Sequence, residues 1–260
     1  MGTFLFDELI FGPVKSRRLG RSLGINLLPR KSKWCNFNCL YCECGLTPDP
    51  FPKDIAAIPS RKEVRIALEL ALADFRTKNE RIDSITFAGN GEPTLHPDFP
   101  GIVEDTVSLR DKLFSDAEIA VLSNATLVGN HNIRIALKKV DLNILKLDSA
   151  VEETIRKINC PKGKFSITEL INNLKWFENN LIIQTLFLKG TYNGYSFDNT
   201  APAEIAQWMA VLKILNPKQV MIYSLDRNTP VEELQKIDAN KLEEIALGVR
   251  NMGISAQVFD

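Results

Sequence analysis

The chain has 260 residues, 45% hydrophobic and 25% charged, with 32 Lys plus Arg balanced by 32 Asp plus Glu. This is ordinary globular usage, so wholesale disorder, collagen-like repeats and coiled coil are excluded, and zero formal charge removes the basic footprint of a general nucleic-acid binder. The longest apolar stretch, 181–188, is interrupted by Gln184 and falls well short of the about 20 residues a bilayer span needs. Asp7 and Glu8 stand where a secretory signal is basic, so a cytoplasmic location without a membrane partner is expected.

β-Rich runs follow one another at 24–28, 84–88, 119–123, 142–148, 182–188, 219–225 and 254–259, predicting seven strands. Helical segments separate them. Ser60 with Glu63 and Ser166 with Glu169 predict capping boxes, and Thr200 with Pro202, and Asp238, predict two more helix starts. This alternation implies right-handed βαβ units and a mainly parallel sheet. In the second run Ser84, Thr86 and Ala88 oppose Ile85 and Phe87; in the fourth, Lys146 and Asp148 share a face with Ile144, opposite Leu145 and Leu147. Parallel strands covered on both sides are usually apolar throughout. One polar face therefore predicts a barrel interior that holds a ligand, the other reading being an interior of satisfied structural hydrogen bonds.

Four of the five cysteines, Cys35, Cys39, Cys42 and Cys44, fall within ten residues, a pattern of metal or redox sites rather than of a disulfide framework. Cys35, Cys39 and Cys42 follow the first strand directly, and three thiolates can hold one face of an iron–sulfur cubane while leaving one iron open. Structural zinc wants four ligands. Cys44 could nominally supply the fourth, through a strained chelate two residues after Cys42. On spacing alone both readings stand.

After the second strand comes Phe87-Ala88-Gly89-Asn90-Gly91-Glu92-Pro93, at the strand end where α/β ligand sites gather. Its glycines allow close backbone approach, and its amides with Glu92 suit an amino-acid head group. Only two histidines, His96 and His131, are present, so no histidine-based metal site is available. Lys15, Arg17, Arg18, Arg21, Arg30, Lys31 and Lys33 run without an intervening acid; they suit tRNA phosphates or an acidic electron carrier, or are a solvated surface. Lys146 and Lys189 are candidates for substrate contact or Schiff-base chemistry. The segment 191–199 is a candidate lid, and Cys44 and Cys160 are read as ordinary thiols.

Together the three-Cys loop and the turn after the second strand resemble the radical S-adenosylmethionine superfamily, with Asn90 in place of the first glycine of the usual pair. The resemblance implies an α/β fold, a partial (β/α)6 TIM-like barrel, as one domain over 1–260, with 1–23 a basic N-terminal extension and 226–260 a C-terminal helix–strand extension. It implies that Cys35, Cys39 and Cys42 hold a [4Fe–4S] cluster whose free iron chelates S-adenosyl-L-methionine. Tyr41 then lies near adenine, Gly89, Asn90, Gly91, Glu92 and Pro93 receive the methionine amino group, Ser123 and Asn124 its carboxylate or the ribose, and Asp148 and Ser149 add a polar contact. Reductive cleavage would release a 5′-deoxyadenosyl radical that abstracts hydrogen from substrate.

At finer grain, Phe11-Gly12-Pro13, Ser16-Arg17-Arg18-Leu19-Gly20, Leu147-Asp148-Ser149-Ala150 and Phe187-Leu188-Lys189-Gly190 look like iron–sulfur oxidoreductases related to wyosine-synthesising tRNA enzymes. That relationship implies a tRNA nucleoside as substrate and a flavodoxin or ferredoxin-type electron donor. The wyosine enzymes carry further cysteines upstream for a second cluster, and none precedes Cys35 here. A glycyl-radical activase acting on a protein substrate is the alternative enzyme, and a zinc-binding interaction protein the non-enzyme alternative.

Overall fold

The computed structural model describes residues 4–48, 58–226 and 229–259. Its main sheet begins with a hairpin, β1 (Ile10–Ser16) antiparallel to β2 (Gly20–Ile25). Then β3 (Ser84–Phe87), β4 (Glu118–Ser123), β5 (Leu142–Lys146) and β6 (Ile182–Leu186) add in parallel, one after another. Two later strands finish the sheet beside β6: β9 (Gln219–Tyr223) and, beyond it, β11 (Ala256–Phe259). Seven parallel strands, as expected, curl into an open half-barrel; the first, expected at 24–28, lies earlier, at Gly20–Ile25, and ends where Asn26 Oδ1 accepts the Leu28 amide. Five helices of the βα connections are α1 (Arg61–Thr77), α2 (Phe99–Leu113), α3 (His131–Lys138), α4 (Glu152–Ile158) and α5 (Ile167–Leu174); α6 (Pro202–Leu215) and α7 (Ala239–Asn251) complete the set.

The helix starts follow local chemistry. Ser60 and Glu63 make a complete capping box on α1, the Ser60 amide donating to Glu63 Oε2 at 2.7 Å and Ser60 Oγ accepting from the Glu63 amide at 3.3 Å. At α5 only half of the expected box forms: Ser166 Oγ accepts from the Glu169 amide, while the next amide, Ile167, is taken by Glu152. Asp238 caps α7 as expected. Ala201 occupies the cap position of α6, with Pro202 in its first turn, because the Thr200 hydroxyl turns back to Asp198.

Segment 191–199, expected as a lid loop, is instead a hairpin of β7 (Leu188–Tyr192) and β8 (Tyr195–Asp198), flanked by β10 (Leu234–Lys236) in a separate three-stranded sheet. Asn193 and Gly194 make the turn at φ +50° and +78°. Two adjacent left-handed residues are what a tight hairpin requires, and Asn-Gly is the dipeptide that supplies them.

The two faces of the curled sheet have different contents. Outward, Ile85, Phe87, Ile119, Val121, Leu145 and Leu147 join the helices in the main core. Inward, Leu19, Ala120, Ile144, Ile182, Met221 and Phe259 form a smaller cluster. Leu19 comes from the β1–β2 turn, which Ser16 Oγ tightens by accepting the amides of Arg18 and Leu19. The polar inner residues near it are structurally satisfied: Ser22 and Thr86 hydroxyls meet at 2.7 Å and Ser84 donates to the Leu19 carbonyl. Leu19→Ala removes the hairpin's anchor and should cost about 2–4 kcal/mol in a urea unfolding titration; a loss below about 1 kcal/mol would mean that Leu19 does not hold the hairpin in place.

Candidate active site

The loop that leaves β2 carries the cysteines, and the glycine-rich turn after β3 holds it in place, backbone to backbone. The Trp34 amide donates to the Asn90 carbonyl at 2.8 Å, and the Glu92 amide donates to the Trp34 carbonyl at 3.1 Å. Gly91 has φ +145°, and a Cβ there would lie 1.9 Å from the Trp34 carbonyl oxygen; one at Gly89 would lie 2.5 Å from Asn26 Oδ1. Both positions thus need glycine for contact as well as for conformation. Asn90 is fully buried; its Oδ1 accepts the Phe6 amide, and its Nδ2 donates to the carbonyls of Phe6 and Pro29.

Glu92 is buried and accepts from four donors: the Thr94 amide and hydroxyl, the Ser123 hydroxyl and the Asn124 amide. Burial pushes its carboxyl up against the pull of those donors. Asn124 continues the chain of bonds, donating from Nδ2 to Asn36 Oδ1 at 2.7 Å and towards Cys35 Sγ at 3.7 Å. Pro93 opens a short 3-10 turn that ends before His96. His96 Nε2 lies 2.7 Å from the Pro59 carbonyl while Nδ1 accepts the Asp98 amide, so the ring is neutral with its proton on Nε2.

Burial holds the His96 pKa below its ordinary value. A depressed histidine contributes stability that is complete above the ordinary value of about 6.5 and is lost as pH falls through the folded pKa. The melting temperature should therefore drop on acidification from pH 7 to pH 5, and His96→Gln should flatten that slope; equal slopes in the two proteins would remove His96 as the cause.

Cys35 and Cys39 are buried and Cys42 is half-buried. Cys35 Sγ accepts the Phe37 amide at 3.4 Å, and Cys39 Sγ accepts Asn159 Nδ2 at 3.3 Å. The loop is pinned on its far side by the end of α4, with the Asn38 amide on the Asn159 carbonyl and the Leu40 amide on that of Ile158. Beneath the sulfurs lies Lys33, 3% exposed, its Nζ 2.8 Å from the Gly45 carbonyl. Burial alone would lower the Lys33 pKa; the nearby Cys42, Cys39 and Cys35 sulfurs outweigh it and raise it. Burial pushes the Cys35 thiol up to about 12 and raises Cys39 as well. Cys42 is lowered to about 5, first by the hydrogen bond from Cys44 and then by Lys33.

Three sulfurs, two of them accepting N–H bonds, with a buried ammonium beside them, are a donor set suited to an anionic thiolate cluster. Among the described residues no three His, Cys, Asp or Glu side chains group closely enough to hold one metal ion. Cubane ligands bind separate irons and need not converge on one point.

A second buried network stands on the barrel side of the cysteine loop. The Tyr41 hydroxyl donates to Asp148 and accepts from Lys146 Nζ at 2.8 Å and Asn159 Nδ2 at 3.0 Å. Asp148 Oδ1 also accepts the Leu186 amide at 3.0 Å, and Oδ2 accepts Asn159 Nδ2 at 2.7 Å. Through Asn159 this network reaches Cys39. Ser149 points elsewhere, donating to Glu204 of α6 at 2.6 Å. Lys189 is exposed on β7, in the separate three-stranded sheet.

Below Tyr41 the half-barrel opens into a cavity of about 330 Å³ walled by the β1–β2 turn and the ends of β6, β9 and β11. The basic stretch of the sequence is divided there. Arg17 pairs with Asp226 at 2.9 Å and Arg21 with Glu80 at 2.5 Å, Lys33 is buried under the cysteines, and Arg18 lies over the Tyr223 ring at 4.8 Å and donates to Gln184 Oε1 at 3.0 Å. Lys33 and Asn159 were not legible as site residues. Lys33 reads as one of a run of surface cations, and nothing local marks an asparagine 120 residues beyond Cys39.

A family model described as the radical SAM superfamily matches residues 30–188, the stretch from the cysteine loop to β6, and the chain belongs to that superfamily. A UPF0026 protein of Methanocaldococcus jannaschii is 32% identical over 86% of this chain and 64% of its own length. The chain spans between 33% and 77% of the length of the curated relatives it matches. Among solved structures, a radical SAM methyltransferase from Sphaerobacter thermophilus superposes with a TM-score of 0.67 at 16% identity, over 92% of this chain and 65% of that one. An archaeal TYW1 superposes with a TM-score of 0.50 at 12% identity, over 89% and 72%. These likenesses establish the partial barrel.

Proposed function

We propose that the chain is an iron–sulfur enzyme that reductively cleaves S-adenosyl-L-methionine and abstracts hydrogen from a tRNA nucleoside. The observation that carries this reading is the set of buried Cys35, buried Cys39 and half-buried Cys42 beside the buried Lys33, in a chain of the radical SAM superfamily. The chemistry supplied by the bound cluster and S-adenosylmethionine is one-electron cleavage of the sulfonium to methionine and a hydrogen-abstracting 5′-deoxyadenosyl radical.

The protein's own residues bind and orient. Cys35, Cys39 and Cys42 would hold the cluster, and Lys33 and Asn159 stabilise the negative sulfurs. Gly89 to Pro93 position the cysteine loop and keep Trp34 and Glu92 in register. Ser123 and Asn124, carried by the end of β4, are tied to that turn through Glu92. Tyr41, held by Asp148, Lys146 and Asn159, lines the cavity and ties its wall through Asn159 to Cys39, which would hold the cluster. Lys146, a candidate substrate contact by sequence, is engaged by the Tyr41 hydroxyl and Asp148 and positions Tyr41 in this reading; exposed Lys189 supports a substrate contact less.

The tRNA substrate rests on the motifs shared with wyosine-related enzymes, and a flavodoxin or ferredoxin-type protein is the proposed electron donor. Mass spectrometry of tRNA nucleosides from the source organism with and without the gene tests it. One nucleoside should vanish on deletion and return on complementation; an unchanged profile in cells that express the protein would overturn the tRNA assignment.

A further inference from the structure

Arg18 is the feature of the cavity that the proposed chemistry leaves unused. It leaves a turn fixed at both ends, by Ser16 Oγ on its amide and by Leu19 seated in the barrel interior. Its guanidinium lies over the Tyr223 ring, 4.8 Å from the centroid, and spends one donor on Gln184. Both neighbouring arginines of the turn are neutralised by acids, Arg17 by Asp226 and Arg21 by Glu80, whereas among the described residues no carboxylate pairs with Arg18. A held, half-buried guanidinium with donors to spare is a site for an anion, and its planar fork matches phosphate. Around it the cavity is lined by Phe6, Tyr41, Tyr223 and Phe259, with Phe6 backed by Phe11, Tyr41 by Lys146 and Tyr223 by Arg18 itself, and aromatic walls beside an arginine are how proteins stack and clamp a splayed nucleotide. The acids on the wall are Asp226, already paired, and Glu43, beside the cysteine loop.

We propose that this cavity binds one nucleotide unit of the substrate, its phosphate on Arg18 and its base against the aromatic wall. Its volume of about 330 Å³ lies at the small end of ligand sites, which run from roughly 300 to 1,000 Å³. This assignment rests on the tRNA reading above and names the residue that recognises its substrate.

The test is calorimetric titration of the reconstituted full chain with the four ribonucleoside 5′-monophosphates, their parent nucleosides, and bulk tRNA. At least one monophosphate should bind more tightly than its nucleoside, and Arg18→Gln should weaken it roughly ten- to a hundredfold, with Arg18→Lys intermediate and the nucleosides unaffected. In the wild-type protein, the same monophosphate should shield Arg18, but not exposed Arg81, from phenylglyoxal in a peptide map; this arm needs no variant to fold. Protection by tRNA as well places the phosphate in a nucleic acid, and protection by monophosphates alone in a free nucleotide. No preference for phosphate over nucleoside, or undiminished binding in Arg18→Gln, would overturn the assignment. Failure of the wild-type protein to form 5′-deoxyadenosine, measured separately, would refute the proposed chemistry without touching the binding result.

Discussion

Cys39→Ala is expected to leave a folded protein that takes up little iron after anaerobic reconstitution, lacks the brown absorbance and forms no measurable 5′-deoxyadenosine. Cys39 is buried and accepts Asn159 Nδ2, and its loss would leave the proposed cluster with two of its three thiolate ligands. Cys35→Ala and Cys42→Ala should behave alike. Cys44→Ala should retain about four irons per chain, because the Cys44 thiol donates to the Gly89 carbonyl at 3.4 Å and the proposed cluster uses only Cys35, Cys39 and Cys42. This contrast separates a three-thiolate cluster from a four-cysteine zinc site: iron lost as fully in Cys44→Ala as in Cys39→Ala would make Cys44 a ligand.

Gly91→Ala should be the most damaging substitution that removes no polar group. A methyl group 1.9 Å from the Trp34 carbonyl oxygen cannot be accommodated by a side-chain movement, since the obstructing atom is backbone. The cysteine loop must lift, and with it go the two hydrogen bonds that Trp34 makes to Asn90 and Glu92. Strain at a positive φ and two broken buried bonds together imply a loss of about 3–5 kcal/mol, with the cluster lost as well. Gly163, at φ +89° with open space around its Cβ position, is the control: Gly163→Ala bears conformational strain alone, about 1–2 kcal/mol. Chemical denaturation and iron content measure both. Equal effects at the two sites would mean that the turn does not clamp the loop.

Strand order and the cysteine loop were legible because they are written locally. Period-two patterns, capping signals at Ser60 and Asp238 and three thiols at close spacing each act within one stretch of chain. Other features depend on what meets what in space. β1 is not among the expected strands, because Gly12 and Pro13 interrupt its apolar residues and Pro13 argues against a strand. The Asn193-Gly194 hairpin signal was present, and the polar composition around it suggested a loop. Sequence pattern gave no sign that Lys33 is buried beneath sulfurs while Arg17 and Arg21 are paired outside, since burial and pairing of a lysine or arginine depend on distant acids such as Asp226. The Gly89–Pro93 turn was recognised as a site element, yet its clamp on Trp34 emerges only from the fold, which brings two loops from neighbouring strands into contact.

Electron paramagnetic resonance of the reconstituted, dithionite-reduced protein, with and without S-adenosyl-L-methionine, tests the central claim most directly. The reduced cluster held by Cys35, Cys39 and Cys42 should give a signal whose shape changes when S-adenosylmethionine is added, because an iron without a protein ligand is open to it. A cluster signal indifferent to S-adenosylmethionine, or a protein that assembles no cluster and retains zinc, would contradict the account.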